Sequence, residues 1–265
     1  MLSSLFSAVG ITRQAFYKDQ QKKVLRRPKE QVLLDQIRTL RRDHPRLSAR
    51  KIFRILKPDF LGRDKFEAFC FANGLKLYRK RSFHRTTDSR GVTRFENKVI
   101  NRELTGVNQV WVSDITYYRI GDKFYYITLV MDQFSRKIVG HTVSASMETE
   151  RTTLPALQAA IGRRNPPAGL VIHSDGGGQY YAKSFKDIPA KFTNSMGKTC
   201  YDNPYAERVN GTIKNDYLIY YNPRTLQDLG RELDRAVFNY NRFRPHTNLQ
   251  EMTPEEFEKK YKYRI

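Results

Sequence analysis

Three acidic residues, Asp114, Asp175 and Glu207, carry the chemistry this chain could perform, and each sits in its own local setting. Asp114 interrupts the strand-like run Trp111-Val112-Ser113-Asp114-Ile115-Thr116-Tyr117-Tyr118. Asp175 closes another, Leu170-Val171-Ile172-His173-Ser174-Asp175, just before Gly176-Gly177-Gly178-Gln179-Tyr180. Glu207 lies in Tyr201-Asp202-Asn203-Pro204-Tyr205-Ala206-Glu207, which reads as the first turns of a helix. Two strand carboxylates and one helix carboxylate, brought together, make an oxygen-rich site for a pair of hard divalent cations. Singly, each acid has an ordinary reading as an edge-strand charge, a turn residue or a first-turn glutamate. Together they say more. Behind Trp-Val-Ser, an unpaired Asp114 carboxylate is costly unless it binds a cation, and Gly176 to Gly178 leave backbone room for a bulky ligand.

The helix start is itself specific. Asn203 suits the N-cap, and Pro204 suits the first helical position, where its missing donor would be idle. Glu207, Gly211 and Lys214 then share a face at offsets of four and seven. One carboxylate, one gap and one cation in a row fit a metal ligand beside a phosphate-binding lysine, with Gly211 letting DNA approach. A helix glycine without purpose would cost about 1 kcal/mol. Asp202 is the fallback third acid, though its place before Asn203 reads as capping. His173 reads as a satisfied strand histidine.

The charge is strong and unevenly placed. The 265 residues carry 48 Lys+Arg against 27 Asp+Glu, a net of +21. Residues 1–104 hold 26 of the basic residues against 10 acids, a net of +16, and the remainder has only +5. A basic arm joined to a milder body implies polyanion binding by the first part and chemistry in the second, so the substrate expected for the acidic site is a phosphodiester. A hydrophobic content of 39% excludes wholesale disorder. Only Cys70 and Cys200 are present, in no C-x-x-C pair, which excludes a disulfide framework and a Cys-rich zinc site and points to a reducing cytoplasm. No apolar run approaches a membrane span, and the start lacks the features of a secretory signal.

The elements that must position the acids follow from periodicity. Leu2, Phe6 and Val9 share a helical face, Gly10 breaks it, and Thr12 caps a second short helix carrying Arg13, Gln14, Phe16 and Tyr17. A longer helix is expected from about Pro28, another behind Ser48, and a third framed by Gly62 and Gly74. A helix–turn–helix is thus expected in the first 80 residues. From Tyr78 to about Gly106 periodicity fades into a linker whose Arg79, Lys80 and Arg81 would touch phosphates. Residues 109–118, 124–132 and 136–143 read as strands, 148–163 as a helix and 170–174 as a fourth strand. That order predicts an α/β fold, a ribonuclease-H-like mixed sheet flanked by helices and preceded by the small helical region. Domains are expected at 1–85 (DNA-binding), 86–105 (basic linker), 106–222 (catalytic core) and 223–265 (helical extension). Residues 225–241 read as a closing helix, and Arg244-Pro245-His246 as a structural cap on the core.

Several motifs together carry a close resemblance. W-V-S-D-I-T-Y at 111–117, M-D-Q-F-S-R-K-I-V-G at 131–140 and H-S-D-G-G-G-Q-Y at 173–180 are similar to the core of retroviral-integrase-type transposases. So are S-M-G-K at 195–198, D-N-P-Y-A-E at 202–207 and Y-N-x-x-R-P-H-x-x-L at 240–249. The chain most resembles the OrfB proteins of the IS-three group of bacterial insertion sequences, strongly over 105–256 and loosely before. The resemblance implies that Asp114, Asp175 and Glu207 are the catalytic, metal-binding triad, that Lys214 contacts DNA, and that Asp132 is a strand-end residue and not a ligand. It departs in one respect: 31 residues separate Asp175 from Glu207, four fewer than usual, the shortening falling between Phe185 and Ser195.

The implied activity is that of a DNA transposase, cleaving insertion-sequence ends and joining the 3′-hydroxyls to target DNA by two-metal phosphodiester transfer. Two Mg²⁺ ions are the implied cofactors, with Mn²⁺ able to substitute. DNA contacts are expected from Lys214, Arg242 and Arg244 besides the amino-terminal residues already named. Paired ends imply a homo-oligomer, and the group implies fusion with, or help from, an upstream reading-frame product. A cytoplasmic, nucleoid-associated location follows. The competing readings are a non-catalytic DNA-binding regulator, which explains the basic arm but not the acids, and a ribonuclease-H-type nuclease without strand transfer.

Overall fold

The computed structural model describes Phe6 and residues 10–77, 95–180, 191–197 and 202–262. The chain divides into two compact units, residues 1–43 with 47–77, and residues 44–46 with 78–265.

The first unit holds α1 (Arg13–Asp43), α2 (Ala49–Leu56) and α3 (Arg63–Ala72). Leu33 and Ile37 of α1 bury against Leu47, Ile52, Leu61, Phe66 and Cys70. Thr12 caps α1, its Oγ1 accepting from the Ala15 N–H at 3.1 Å. The break anticipated near Pro28 does not occur. Pro28 lies inside one helix of 31 residues. Pro28 and the Val24 whose carbonyl it frees are both exposed, so water can serve that carbonyl and the helix continues. The short helix anticipated over Leu2 to Val9 lies almost wholly outside the described residues, as do Arg79, Lys80 and Arg81.

The second unit is built on β1 (Val110–Ile120), β2 (Lys123–Asp132), β3 (Ile138–Ser144), β4 (Val171–Ser174) and β5 (Thr193–Met196), with α4 (Thr153–Arg164) between β3 and β4. The strand order is β3-β2-β1-β4-β5. The first three strands pair antiparallel, and β4 and β5 run parallel to β1. This is the ribonuclease-H-like mixed sheet expected from the motif order. The β1–β2 hairpin turns at Gly121-Asp122, with Ile120 opposite Lys123 and Gly121 at φ +58°. Strand β5 was not foreseen. Its Thr-Asn-Ser-Met sequence has no apolar alternation, and parallel pairing with β4 is what makes it a strand.

Alternation along β1 splits the core in two. Val110, Val112 and Tyr118 pack with α5 (Pro204–Thr212) and α6 (Leu226–Phe243) on one face. Trp111 packs with Ala156, Leu157 and Ala160 of α4 on the other. Leu229, Leu233, Val237 and Tyr240 give α6 its buried stripe, and Thr225 caps it by accepting from the Asp228 N–H at 3.0 Å. The last helix, α7 (Pro254–Lys262), is pinned by Glu258, which accepts two 2.8 Å bonds from Arg164 of α4. Residues 95–104 are not a free tether. Val99 and Leu104 pack against the core, and the Lys98 N–H donates to Ser195 Oγ at 2.8 Å.

Helix α4 sits close to the sheet because β3 carries Gly140 opposite it. A Cβ there would overlap the Ala156 carbonyl oxygen and stand 2.8 Å from Ala160 Cβ, both parts of a packed helix. Gly140→Ala is expected to destabilise the protein by about 2–3 kcal/mol and lower Tm by roughly 4–10 °C in calorimetry. An unchanged Tm would show that α4 can move off the sheet at no cost.

Candidate active site

Asp114 and Asp175 meet because β1 and β4 are parallel neighbours, with Val112 opposite His173 two residues before Asp114 and Asp175 respectively. Asp114 points to the α5 side of the sheet. Its Oδ1 accepts from the Ile115 N–H at 2.8 Å and its Oδ2 from Asn210 Nδ2 at 2.9 Å. Asp175 Oδ1 accepts from the Gly177 N–H at 3.1 Å, so the glycine run folds back onto the carboxylate. Glu207 occupies the first turn of α5 with its side chain exposed.

Burial shifts all three acids in the same direction, and neighbouring charge adds to the shift of Asp114 and Glu207. Burial pushes the Asp114 carboxyl up to about 7, and the charges of Asp175 and then Glu207 add to the rise, against the two hydrogen bonds it accepts. Burial raises Asp175 as well, the Gly177 N–H opposing. Glu207 is raised by partial burial and then by Asp175. The acids therefore repel one another across a shared space. Even so, among the described residues no group of three His, Cys, Asp or Glu is arranged to hold a metal ion. The two aspartates are held by hydrogen bonds at the sheet, whereas Glu207 is exposed.

The start of α5 departs from the capping pattern. Asn203 makes no side-chain cap. Its Nδ2 instead donates to the Ser113 carbonyl at 3.0 Å, tying the helix start to β1. Beyond Thr212 the helix widens into a π turn, Ile213–Leu218, before closing at Ile219–Tyr221. Lys214 falls in that turn, half-buried, its ammonium 5.2 Å from the Tyr117 ring centroid and its pKa lowered by burial. A Cβ on Gly211 would meet only Asn215 Nδ2, at 3.9 Å, so packing does not require glycine there.

The other expected site residues separate clearly. Arg244 was expected on DNA, but it is buried and donates to Asp216 at 2.6 Å while lying over the Tyr217 ring. A guanidinium engaged inside the fold is not offered to a phosphate. Arg242 donates to Glu255 at 3.2 Å and stacks on Phe238. Arg13, Gln14 and Tyr17 are exposed on the first turns of α1, with Arg13 over the Tyr17 ring at 5.6 Å. Asp132 is taken up by a turn, accepting from the Asn108, Phe134 and Ser135 N–H groups. His173 is buried with both ring nitrogens engaged.

Sequence reading missed Asn210, gave Asn203 a capping role it does not have, and assigned no role to Tyr180. Asn210 had a signal, since it lies three residues after Glu207 on the same helical face. Tyr180 had none. Its hydroxyl lies 2.9 Å from Ser113 Oγ, beneath both aspartates, whose charges add to the rise in its pKa caused by burial.

A carboxyl whose folded pKa is raised binds protons more tightly folded than unfolded, so its contribution to stability falls as pH rises from about 4 to 7. Without divalent cations, the full Asp114 shift corresponds to about 4 kcal/mol above pH 7. Asp114→Asn is therefore expected to raise Tm more at pH 8 than at pH 5, read by thermal melts in a chelating buffer. Equal changes at the two pH values would contradict the burial of this carboxylate.

Comparison with known proteins follows the same outline. The chain matches the Integrase core domain family over residues 105–195 and a second Integrase core domain family over 190–254. It is 32% identical over 208 residues to the insertion element IS600 uncharacterized 31 kDa protein of Shigella sonnei, covering 76% of each chain. It is 34% identical over 166 residues to transposase InsF for insertion sequence IS3A of Escherichia coli, covering 59% of this chain and 56% of that one. The matched stretch is thus little more than half of InsF. Among solved structures, the HTLV-2 integrase catalytic core domain in complex with magnesium aligns with a TM-score of 0.48 and 23% identity, over 59% of this chain and 99% of that one. An integrase core match, two acids on or just past neighbouring parallel strands and similarity over three quarters of an insertion-element protein agree: the chain belongs to the IS3-type family of transposases.

Proposed function

We propose that this protein cleaves DNA at the ends of an insertion sequence and joins the freed 3′-hydroxyls to another strand, with Asp114, Asp175 and Glu207 as its catalytic carboxylates. The observation that supports this is that Asp114 and Asp175 lie on or just past neighbouring parallel strands, with the Glu207 helix tied to β1 through Asn203 and Asn210, in a chain of net charge +21. Repulsion between such acids within a basic protein is a standing demand for bound cations, and nucleic acid is the partner the charge selects.

The donor set fits a pair of Mg²⁺ ions by its chemistry. All three groups are hard carboxylate oxygens, and a cation between them would relieve both the repulsion and the cost of burial. Glu207, exposed on the first turn of α5, supplies the side-chain movement that would complete the set. Bound there, the ions would neutralise the scissile phosphate and acidify the attacking water or 3′-hydroxyl. The chain's own part is orientation. Asn210 and the Ile115 N–H fix the Asp114 oxygens, and the Gly177 N–H fixes one oxygen of Asp175. Lys214 offers a cation, and the open space at Gly211 gives a DNA backbone room to approach the helix.

Phosphate affinity would come from the basic residues of the helical unit, Arg13 among them, with the exposed Gln14 and Tyr17 beside it as polar contacts, so binding should weaken steeply with salt. The helical unit would recognise the ends and the sheet unit would do the chemistry. Joining two ends requires at least two copies of the chain, alone or fused to an upstream reading-frame product.

The test is an end-joining assay with labelled element termini, supplied uncut and pre-cut. Wild type is expected to yield joined products with Mg²⁺ or Mn²⁺, and Glu207→Gln to fall at least about 100-fold. Cut products without joining would favour a plain nuclease, and DNA binding without either product a regulator. Activity surviving full chelation would reject the metal mechanism.

A further inference from the structure

The geometry points to His173 as a positioning residue that registers the Glu207 helix on the strand carrying Asp175. The inference rests on the reading of Asp175 and Glu207 as partners in one site. The chain connection leaves that partnership to be fixed by contacts, because 31 residues separate the two acids. The backbone just ahead of α5 is instead tied down by two side chains. His173 Nε2 lies 3.1 Å from the Asp202 carbonyl oxygen, and Asn203 Nδ2 donates to the Ser113 carbonyl at 3.0 Å. His173 stands two residues before Asp175, and Ser113 one residue before Asp114. Each aspartate strand thus holds one of two successive residues at the helix entry.

The hydrogen-bond partners assign the histidine tautomer. A carbonyl only accepts, so Nε2 carries the proton and donates to Asp202. Nδ1 is then the acceptor in a neutral ring and takes the hydroxyl proton of Ser195, 3.0 Å away. Ser195 Oγ in turn accepts from the Lys98 N–H at 2.8 Å. Every donor in the chain Lys98, Ser195, His173, Asp202 therefore points the same way. The ring is fully buried, so no water competes for either nitrogen. One imidazole thereby links β4, β5 and the entry to α5 with a fixed polarity. Rotation of that entry would swing Glu207 away from the aspartates while leaving the sheet intact.

The experiment uses the full chain and pre-cut labelled ends. His173→Gln keeps an amide donor near the position of Nε2, whereas His173→Leu fills the space without one. His173→Leu is expected to lower kcat for joining by between about 10- and 100-fold, with KM for DNA ends changed less than about 3-fold. His173→Gln is expected to recover most of that loss. Nitrogen-15 NMR of the wild-type imidazole gives a second readout that does not depend on any variant folding, and it should show a neutral ring protonated at Nε2. A ring protonated at Nδ1, or a His173→Leu protein with unchanged kcat, would overturn the inference. A Gln variant no better than Leu would also overturn it, since the donor would then not be what matters. Glu207→Gln and Asp175→Asn run alongside: if those retain full joining, the reading of the acids fails, and if only His173→Leu does, this inference alone fails.

Discussion

Two half-buried aspartates, one on β1 and one just past the end of the parallel β4, are the constraint around which the second unit is arranged. Strand pairing sets their spacing, since β1 and β4 run side by side in register at Val112 and His173. A carboxylate at the end of a buried strand is expensive. The structure offsets part of that cost locally, through one backbone N–H on each aspartate and the amide of Asn210. What remains unsatisfied is negative charge, which a divalent cation would offset.

The surroundings of the acids are polar but closed. Ser113, His173, Tyr180, Ser195 and Asn203 are all buried, and each has a partner at the strand ends or the helix entry. Buried polar groups with fixed partners hold one arrangement more strictly than apolar packing does, because any slip leaves an unpaired donor or acceptor. Asn203 and Asn210 each leave a side-chain oxygen buried without a partner. That cost sits at the junction between helix and sheet, where side-chain position matters to the proposed chemistry.

Electrostatic roles divide sharply by burial. Arg244 with Asp216 and Arg164 with Glu258 are internal pairs that fasten the helices following the sheet. Removing one partner from such a pair leaves an uncompensated charge, so these arginines belong to the architecture. Exposed cations of α1 pair at the surface instead, as Lys23 does with Asp19 and Lys29 with Asp59, and such pairs are weak enough to yield to a polyanion. Lys214 lies between the two classes, half-buried over an aromatic ring in a π turn.

The sequence by itself determined the acids, the order of strands and helices, and the family, because strand alternation and short motifs are local properties. The Thr12 cap and the closing helix from residue 225 were legible for the same reason. Local pattern misled where a residue's partner lies far along the chain. Pro28 signals a helix start but rides inside a helix on an exposed face, and Asn203 signals a cap but bonds across to Ser113. Arg244 carries the charge of a DNA contact but is claimed by Asp216. Strand β5 exists only through its pairing with β4, and Tyr180 lies beneath the acids only through the folding of a glycine turn. Hydrogen-bond partners, burial and mutual repulsion depend on distances between remote segments, and only the tertiary structure sets those.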